Sequence, residues 1–392
     1  MGAAYIVGAV RTAGGRNKGR LSRMHPADIG AKVLDALVAR TGIDPAGIDD
    51  VIFGCVMQSG AQAGNIARNC VLSSSLPESV PATSVDRQCG SGQQAVHFAV
   101  QAVMSETQDL VIAGGVESMT RVPIGSNVVD ALKQGHGQPY DGDGIGKRYP
   151  GVKFSQFTGA EMLARKHGLS RAELDEFAHE SHVKAARATK EGRFAREIAP
   201  LEITLEDGST AVHETDEGIR FDASLEKMQS LEPLTPGGLL TAASSSQICD
   251  GASALLIAND RAIEENKLVP RARFHTLTVV GDDPVIMLEG PIPATRKALA
   301  RAGMKIEDFD LYEINEAFAP VPLAWAKALS ADRKKLNVNG GAMALGHPLG
   351  ATGGKLLTTL LHELERIGGR YGLLAICEGG GTANCTIIER LG

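Results

Sequence analysis

Two stretches of this chain, about 260 residues apart, pass through the same succession of elements in the same order, which constrains the fold more than any other feature. Asp50-Val-Ile-Phe-Gly-Cys55 is echoed by Asp310-Leu-Tyr-Glu-Ile-Asn315, each preceded by an amphipathic helix pattern and a short glycine turn. Ala82–Val85 leads through a glycine-broken turn holding Cys89 into a helix, and Leu336–Asn339 leads through glycines holding His347 into a helix near Gly353. Asp109-Leu-Val-Ile-Ala-Gly-Gly115 is then matched by Tyr371-Gly-Leu-Leu-Ala-Ile-Cys377. That spacing is too long for a solenoid. Apolar runs alternating with helical segments predict βαβ units and a mostly parallel sheet covered on both faces. The expected fold class is therefore α/β, built from duplicated βαβ halves.

Between the echoes lies a more polar stretch, 121–241, with one strong helix signal over Arg171–Glu191, where Ser170 is the N-cap and Glu173 stands at the capping-box position. It reads as an inserted loop domain for covering and binding a ligand, because long insertions seldom lack a functional reason. The halves are then 1–120, completed by about 242–270, and 271–392. Forty-six glycines with only 4% aromatic residues suit an α/β protein with many strand-to-helix turns.

The chemistry-bearing residues fall just after strand-like runs. In open α/β sheets ligands bind beyond the carboxyl ends of the strands, so Cys89, Asn315, His347 and Cys377 are expected at one crevice. Cys89 sits before a helix expected over Gln93–Met104, whose apolar face carries Ala95, Phe98, Ala99, Ala102 and Val103. A helix N-terminus stabilises thiolate over thiol and should lower the Cys89 pKa. The alternative is a buried structural cysteine. His347 lies among glycines with Pro348 beside it, a fixed imidazole suited to general-base work; a phosphate loop is the competing reading, without a GxxxxGK[ST] pattern. The glycines after Cys377 leave backbone N–H groups for an oxyanion. Cys55, Cys70, Cys249 and Cys385 read as core.

Six cysteines without CxxC spacing exclude a disulfide scaffold and argue against zinc, so a reducing compartment is expected. The N-terminal Met-Gly-Ala-Ala-Tyr-Ile-Val carries no basic region followed by a long apolar stretch, no apolar run reaches spanning length, and a cytoplasmic protein is expected. A formal charge of −6 gives no global attraction to nucleic acid or to an anionic membrane.

Cys89 in a Cys-Gly-Ser-Gly turn, Asn315-Glu-Ala-Phe318, Gly340-Gly-Ala-Met-Ala-Leu-Gly-His-Pro-Leu-Gly350 and Cys377-Glu-Gly379 together resemble the signatures of the thiolases, from Val10-Arg-Thr to the C-terminus. Gly114-Gly-Val-Glu-Ser-Met-Thr120 and Asp250-Gly-Ala-Ser-Ala resemble further family blocks.

The resemblance implies a layered α/β/α/β/α fold and acyl transfer between a cysteine and coenzyme A. Cys89 would be the nucleophile, His347 its base, Cys377 the acid/base toward carbon, and Asn315 an oxyanion donor. The Cys89 and Gly379 N–H groups would form a second oxyanion hole. Arg220 and Ser246 match positions that contact coenzyme A in similar enzymes. Coenzyme A enters as substrate, with no metal or redox cofactor, and similar proteins assemble as homodimers or homotetramers. Ser155-Gln-Phe157-Thr-Gly-Ala-Glu161 replaces a His-Met-Gly run common in acetoacetyl-CoA-specialised members and looks closer to degradative 3-ketoacyl-CoA thiolases of fatty acid β-oxidation accepting longer or bulkier acyl groups. The alternatives are a biosynthetic acetoacetyl-CoA-forming acetyltransferase and, from another class, a non-catalytic acyl-CoA or lipid-binding relative.

Overall fold

The computed structural model describes residues 2–392. Its strands are β1 (Tyr5–Arg11), β2 (Gly15–Arg16), β3 (Asp50–Gly54), β4 (Ala82–Val85), β5 (Leu110–Ser118), β6 (Leu201–Thr204), β7 (Thr210–His213), β8 (Cys249–Ala258), β9 (Ala272–Gly281), β10 (Leu311–Ile314), β11 (Tyr371–Glu378) and β12 (Thr382–Arg390). All but β6 and β7 join one path, β10-β11-β12-β9-β1-β8-β5-β3-β4, with β2 beside β8.

Divided between β1 and β9, the path gives two matching series. In the first half β1, β8, β5 and β3 lie side by side; in the second, β9, β12, β11 and β10 do. Directions match as well: β3 and β5 are parallel, as are β10 and β11, whereas β8 and β12 each run antiparallel to both neighbours. The expected duplication is present in order and in direction.

The expectation of a mostly parallel sheet is corrected. Only β3 with β4, β3 with β5 and β10 with β11 are parallel. Each half closes with a strand that folds back as a hairpin partner, and an apolar run carries no mark of its direction.

The strand expected at Leu336–Asn339 also shrinks, to isolated parallel bridges of Leu336 with Tyr312 and of Val338 with Gly340. Asn337 leaves the extended region with φ 44°. Its side chain then does what a strand backbone would, Oδ1 accepting from Ile314 N–H and Nδ2 donating to Ile314 C=O, both at 2.9 Å.

Three apolar clusters separate five layers. Helices Pro26–Thr41 and Ile66–Leu72 cover the outer face of the first-half strands, through Leu34, Leu37, Phe53 and Val71. Helices Pro291–Ala302 and Pro320–Leu329 cover the second-half strands, through Ala298, Trp325 and Leu373. Between the strand layers lie two central helices, Ser91–Met104 and Thr352–Ile367, whose Val96, Val100, Leu357 and Leu361 share one cluster with Val111 and Ile257 on one side and Leu374 and Ile376 on the other.

The central helices meet almost backbone to backbone. A Cβ on Gly92 would lie 2.5 Å from the Gly350 carbonyl oxygen, and one on Gly353 would overlap the Gln93 backbone. Glycine is needed here for approach, not for a turn. The first central helix starts two residues earlier than expected, with Gly90 as N-cap. Its buried face is Ala95, Val96, Ala99, Val100 and Val103; Phe98, expected on that face, is 41% exposed.

Between β5 and β8 no element adds a strand to the large sheet. This stretch holds the β6–β7 hairpin and a helix at Arg171–Lys190, closed at its start by the Ser170/Glu173 capping box.

Candidate active site

The nucleophile candidate is held by a tight local network. Gly90 N–H reaches Arg87 C=O and Ser91 N–H reaches Gln88 C=O, both at 3.0 Å. Ser91 Oγ donates to Gln88 C=O at 2.6 Å and accepts from Arg87 N–H at 2.8 Å. Gln88, just before Cys89, sits at φ 48°, a left-handed conformation that costs a non-glycine residue of order 1 kcal/mol. That kink aims Cys89 at the start of the first central helix.

The expected lowering of the Cys89 pKa is corrected. The residue is 4% exposed, and burial, followed by the Glu378 carboxylate, pushes its pKa up to about 12 despite backbone N–H help. Desolvation outweighs the helix dipole, which is worth about 1 kcal/mol or less. At neutral pH the sulfur carries its proton and requires a base to become a nucleophile.

The candidate base, His347, stands five residues before the second central helix. His347 Nδ1 is 2.6 Å from Thr352 Oγ1, whose own proton goes to Pro348 C=O at 2.9 Å. Thr352 can therefore only accept from Nδ1–H, which leaves Nε2 unprotonated and able to accept. Asn315 Nδ2 lies 3.4 Å from that Nε2. Burial, then Lys355, holds the imidazole far below its usual value, at about 3, so it is neutral at pH 7.

Asn315 leaves β10 with its N–H on Ala375 C=O of β11, at 3.1 Å. Its Oδ1 is buried without a hydrogen-bond partner. The next residue, Glu316, accepts from Ser181 Oγ at 2.7 Å, Met343 N–H at 3.1 Å and Asn337 Nδ2 at 3.0 Å, so the long helix of the 119–248 stretch is tied to both strand-end loops.

Cys377 is fully buried near the end of β11. Burial raises its thiol well above the ordinary value, and the next contribution comes from Cys89, so the two sulfurs are close enough for one charge to oppose the other. Gly379 lies past Glu378–Thr382, the last pair of the β11–β12 ladder.

The two turns, one from each half, are drawn together by Gly92 against Gly350, each three residues past Cys89 or His347. Beneath them Glu117 is buried and accepts from Val56 N–H at 2.9 Å, Met57 N–H at 3.0 Å and Gly350 N–H at 2.8 Å. Sequence reasoning missed Thr352 and Glu117. For Glu117 the signal was a carboxylate inside an apolar strand.

Arg220 is exposed and lines a cavity with His182, Ser224, Lys227, Gln247 and Met343. Ser246 is half-buried and adjoins that wall through Gln247, its N–H bound to Ala317 C=O at 2.9 Å. Lys227, a second cation at the same cavity, was not foreseen. Cys55, Cys70, Cys249 and Cys385 are all buried in the core. Among the described residues no helix is long and apolar enough to cross a membrane.

The sequence matches the family model for the thiolase N-terminal domain over residues 4–261 and that for the thiolase C-terminal domain over 268–390. It is 54% identical over 389 residues to the steroid 3-ketoacyl-CoA thiolase FadA6 of Mycobacterium tuberculosis, covering 99% of this chain and 94% of that one. It is 42% identical to the 3-ketoacyl-CoA thiolase of Pseudoalteromonas translucida, over 98% of both chains. Among solved structures it superposes on the acetyl-CoA acetyltransferase of Bacillus anthracis with TM-score 0.91 and 36% identity, covering 100% of this chain and 99% of that one. Human mitochondrial 3-ketoacyl-CoA thiolase gives 0.90 and 35%, with the same coverage. Two ordered domain matches, relatives aligned along nearly their whole length, and the layered, duplicated architecture make this chain a member of the thiolase family.

Proposed function

We propose that this thiolase cleaves 3-oxoacyl-CoA degradatively, with Cys89 as nucleophile, His347 as its base and Cys377 as the acid toward carbon. The observation that carries the reading is the pairing of two buried thiols on interlocked turns, with Cys89 raising the pKa of Cys377, and a neutral imidazole whose Nε2 is unprotonated. Nε2 takes the Cys89 proton, and the thiolate adds to the 3-keto carbon. The bond between C2 and C3 then breaks, leaving an acyl thioester on Cys89 and the enolate of acetyl-CoA. Asn315 and the imidazolium donate to that enolate oxygen, and Cys377 S–H protonates its carbon. Free coenzyme A returns a proton to Cys377 and attacks the thioester. The new oxyanion is held by the Cys89 and Gly379 N–H groups, and collapse releases the shortened acyl-CoA; Cys89 recovers its proton from His347. Run backwards, these steps are a Claisen condensation.

A raised thiol pKa serves both sulfurs. Cys377 must be protonated to deliver a proton to carbon, and a protonated Cys89 makes the nucleophile dependent on His347. The segment 121–241 is read as the loop domain that grips coenzyme A, with Arg220 and Lys227 facing its phosphates and Ser246 near the pantetheine arm. A soluble homodimer or homotetramer acting in the cytoplasm is the assembly we propose.

For the acyl group we infer a bulky chain. Phe157 is 51% exposed and sets its ring edge-on to Phe318, 5.5 Å between centroids, three residues past Asn315. A relative 54% identical is named for steroid 3-ketoacyl-CoA. Thiolytic rates on acetoacetyl-CoA, on a medium-chain 3-oxoacyl-CoA and on one with a polycyclic acyl group test this; a large preference for the four-carbon substrate favours the acetoacetyl-CoA-forming alternative. A non-catalytic binder would gain no acyl adduct on the Cys89 peptide.

A further inference from the structure

The turns that carry the two sulfurs exchange side chains. Gln88, the residue before Cys89, lays its amide beside Gly379: a Cβ there would stand 3.0 Å from Gln88 Oε1 and 3.2 Å from its Cγ. Glu378, the residue after Cys377, lays its carboxyl over Gly90, where a Cβ would stand 2.6 Å from the carboxyl carbon and 3.0 Å from Cγ, and would overlap Oε1. Each turn thus inserts the neighbour of its cysteine against the other turn's glycine.

The Glu378 end is also chemically unusual. The residue is fully buried; Oε2 accepts from Thr382 Oγ1 at 2.5 Å, while Oε1 has no hydrogen-bond partner. A carboxyl left like this one residue from each of Cys377 and Gly379 calls for an explanation. Neither side chain has a part in the chemistry proposed above.

We propose that Gln88 and Glu378 are positioning residues, which lock the nucleophile turn to the glycine turn and hold the Cys89 and Gly379 N–H groups at the spacing that the thioester oxyanion requires. This rests on the reading of Cys89 and Gly379 given above. An oxyanion hole works through donors fixed before charge develops, so a shift of a few tenths of an ångström in either turn is felt in the rate.

The carboxyl serves in its neutral form. Burial raises Glu378 to about 8, against the Thr382 hydroxyl and then Arg87, which both favour the charge. The groups that sense it are Cys89 and Cys377, while Asp86 and Glu117 add negative charge around Cys89. Ionised, Glu378 would place another negative charge beside the developing oxyanion and oppose it. Coenzyme A-dependent release of the acyl group is therefore expected to fall as pH rises through about 8.

The test separates acylation from release. The enzyme is mixed with a medium-chain 3-oxoacyl-CoA without free coenzyme A, the Cys89 adduct is followed by intact mass, and coenzyme A is then added across about pH 6 to pH 9. Glu378→Ala and Gln88→Ala are expected to form the adduct and to release it about 10- to 100-fold more slowly. Glu378→Gln keeps shape without charge: it is expected within about threefold of wild type at neutral pH and without the alkaline fall. A merely structural carboxyl would leave that limb unmoved by Glu378→Gln. Adduct in every protein, with wild-type release in Glu378→Ala and Gln88→Ala, overturns the positioning role alone. No adduct in wild type overturns the reading of Cys89 and the proposal with it. Gln88 is exposed at the turn, so its variant reports even where the buried Glu378→Ala fails to fold.

Discussion

The hairpin that closes each half is built twice and finished differently. In the second half β11 returns as β12 through Gly379, Gly380 and Gly381 alone; in the first half β5 returns as β8 only after residues 119–248. Both pairs keep the same antiparallel ladder and the same place beside β9 or β1. One copy of the hairpin keeps a bare glycine loop beside Cys377, and the other spends its loop on a long excursion, for which we propose the grip on coenzyme A. A duplicated scaffold thus permits division of labour: the strands repeat because packing demands it, and the loops diverge because nothing in the core constrains them.

The largest effect should come from removing the first half's sulfur. Cys89→Ser is expected to lower thiolysis by about 10⁴-fold or more and to leave no adduct by mass spectrometry, because an alcohol is a far weaker nucleophile than the thiolate. Cys377→Ala, the second half's counterpart, should lower carbon–carbon cleavage by about 10³-fold while sparing exchange of labelled coenzyme A into acyl-CoA more. Equal losses in both assays would break the division between halves.

Next in size is the seam between them. Gly353→Ala drives a methyl group into the Gln93 backbone, and the central helices must part. Overpacking of this kind costs about 1–3 kcal/mol, read as a lowered urea midpoint together with lost activity. Gly368→Ala, at φ 68° with open space around it, probes the far end of the same helix and should cost only about 1 kcal/mol of backbone strain, with activity kept.

The halves were legible in the sequence because buried strands and amphipathic helices leave patterns, and Asn315 and Cys377 were legible because each stands at the end of such a strand, whereas Cys89 lies four residues past β4 and His347 follows a run that forms no strand. What was hidden was relational. Strand direction leaves no trace in a run such as Thr382–Arg390, and the Asn337 side chain substitutes for a strand that composition alone would draw. The Cys89 pKa depends on what covers the sulfur, which position before a helix does not tell. Gln88 and Glu378 meet turns that are adjacent only after folding, and Thr352 meets His347, five residues earlier, only once the turn between them has closed.

A smaller effect concerns acid. His347 and His97 are both held near 3 by burial, below the unfolded value of 6.5; His97 lies under the seam, with Nε2 2.7 Å from Thr386 Oγ1 of β12. Their folded pKa values are depressed, so the unfolded chain takes up protons that the fold refuses. The stability they confer is complete above about pH 6.5 and is lost as pH falls toward about 3, at up to about 1.4 kcal/mol per pH unit for each. Urea midpoints at pH 7 and pH 5 should show the drop, and His97→Gln should make it shallower. An unchanged slope would mean that the buried imidazoles exchange protons with solvent.

The smallest effect tests the long loop against the short one. Arg220 and Lys227 stand at an open cavity, so under the proposed binding mode each is expected to contribute as a solvent-screened cation toward a phosphate, about 1 kcal/mol or less. Arg220→Ala and Lys227→Ala are therefore expected to raise KM for coenzyme A about three- to fivefold with kcat unchanged, the mark of binding that is uniform between ground and transition state. Added salt should shrink the difference. Glu378→Ala, at the edge of the glycine loop, should do the reverse and lower kcat with little change in KM. A loop-domain variant that lowers kcat instead would show that the excursion from β5 takes part in the chemistry, and that the two hairpins share one task.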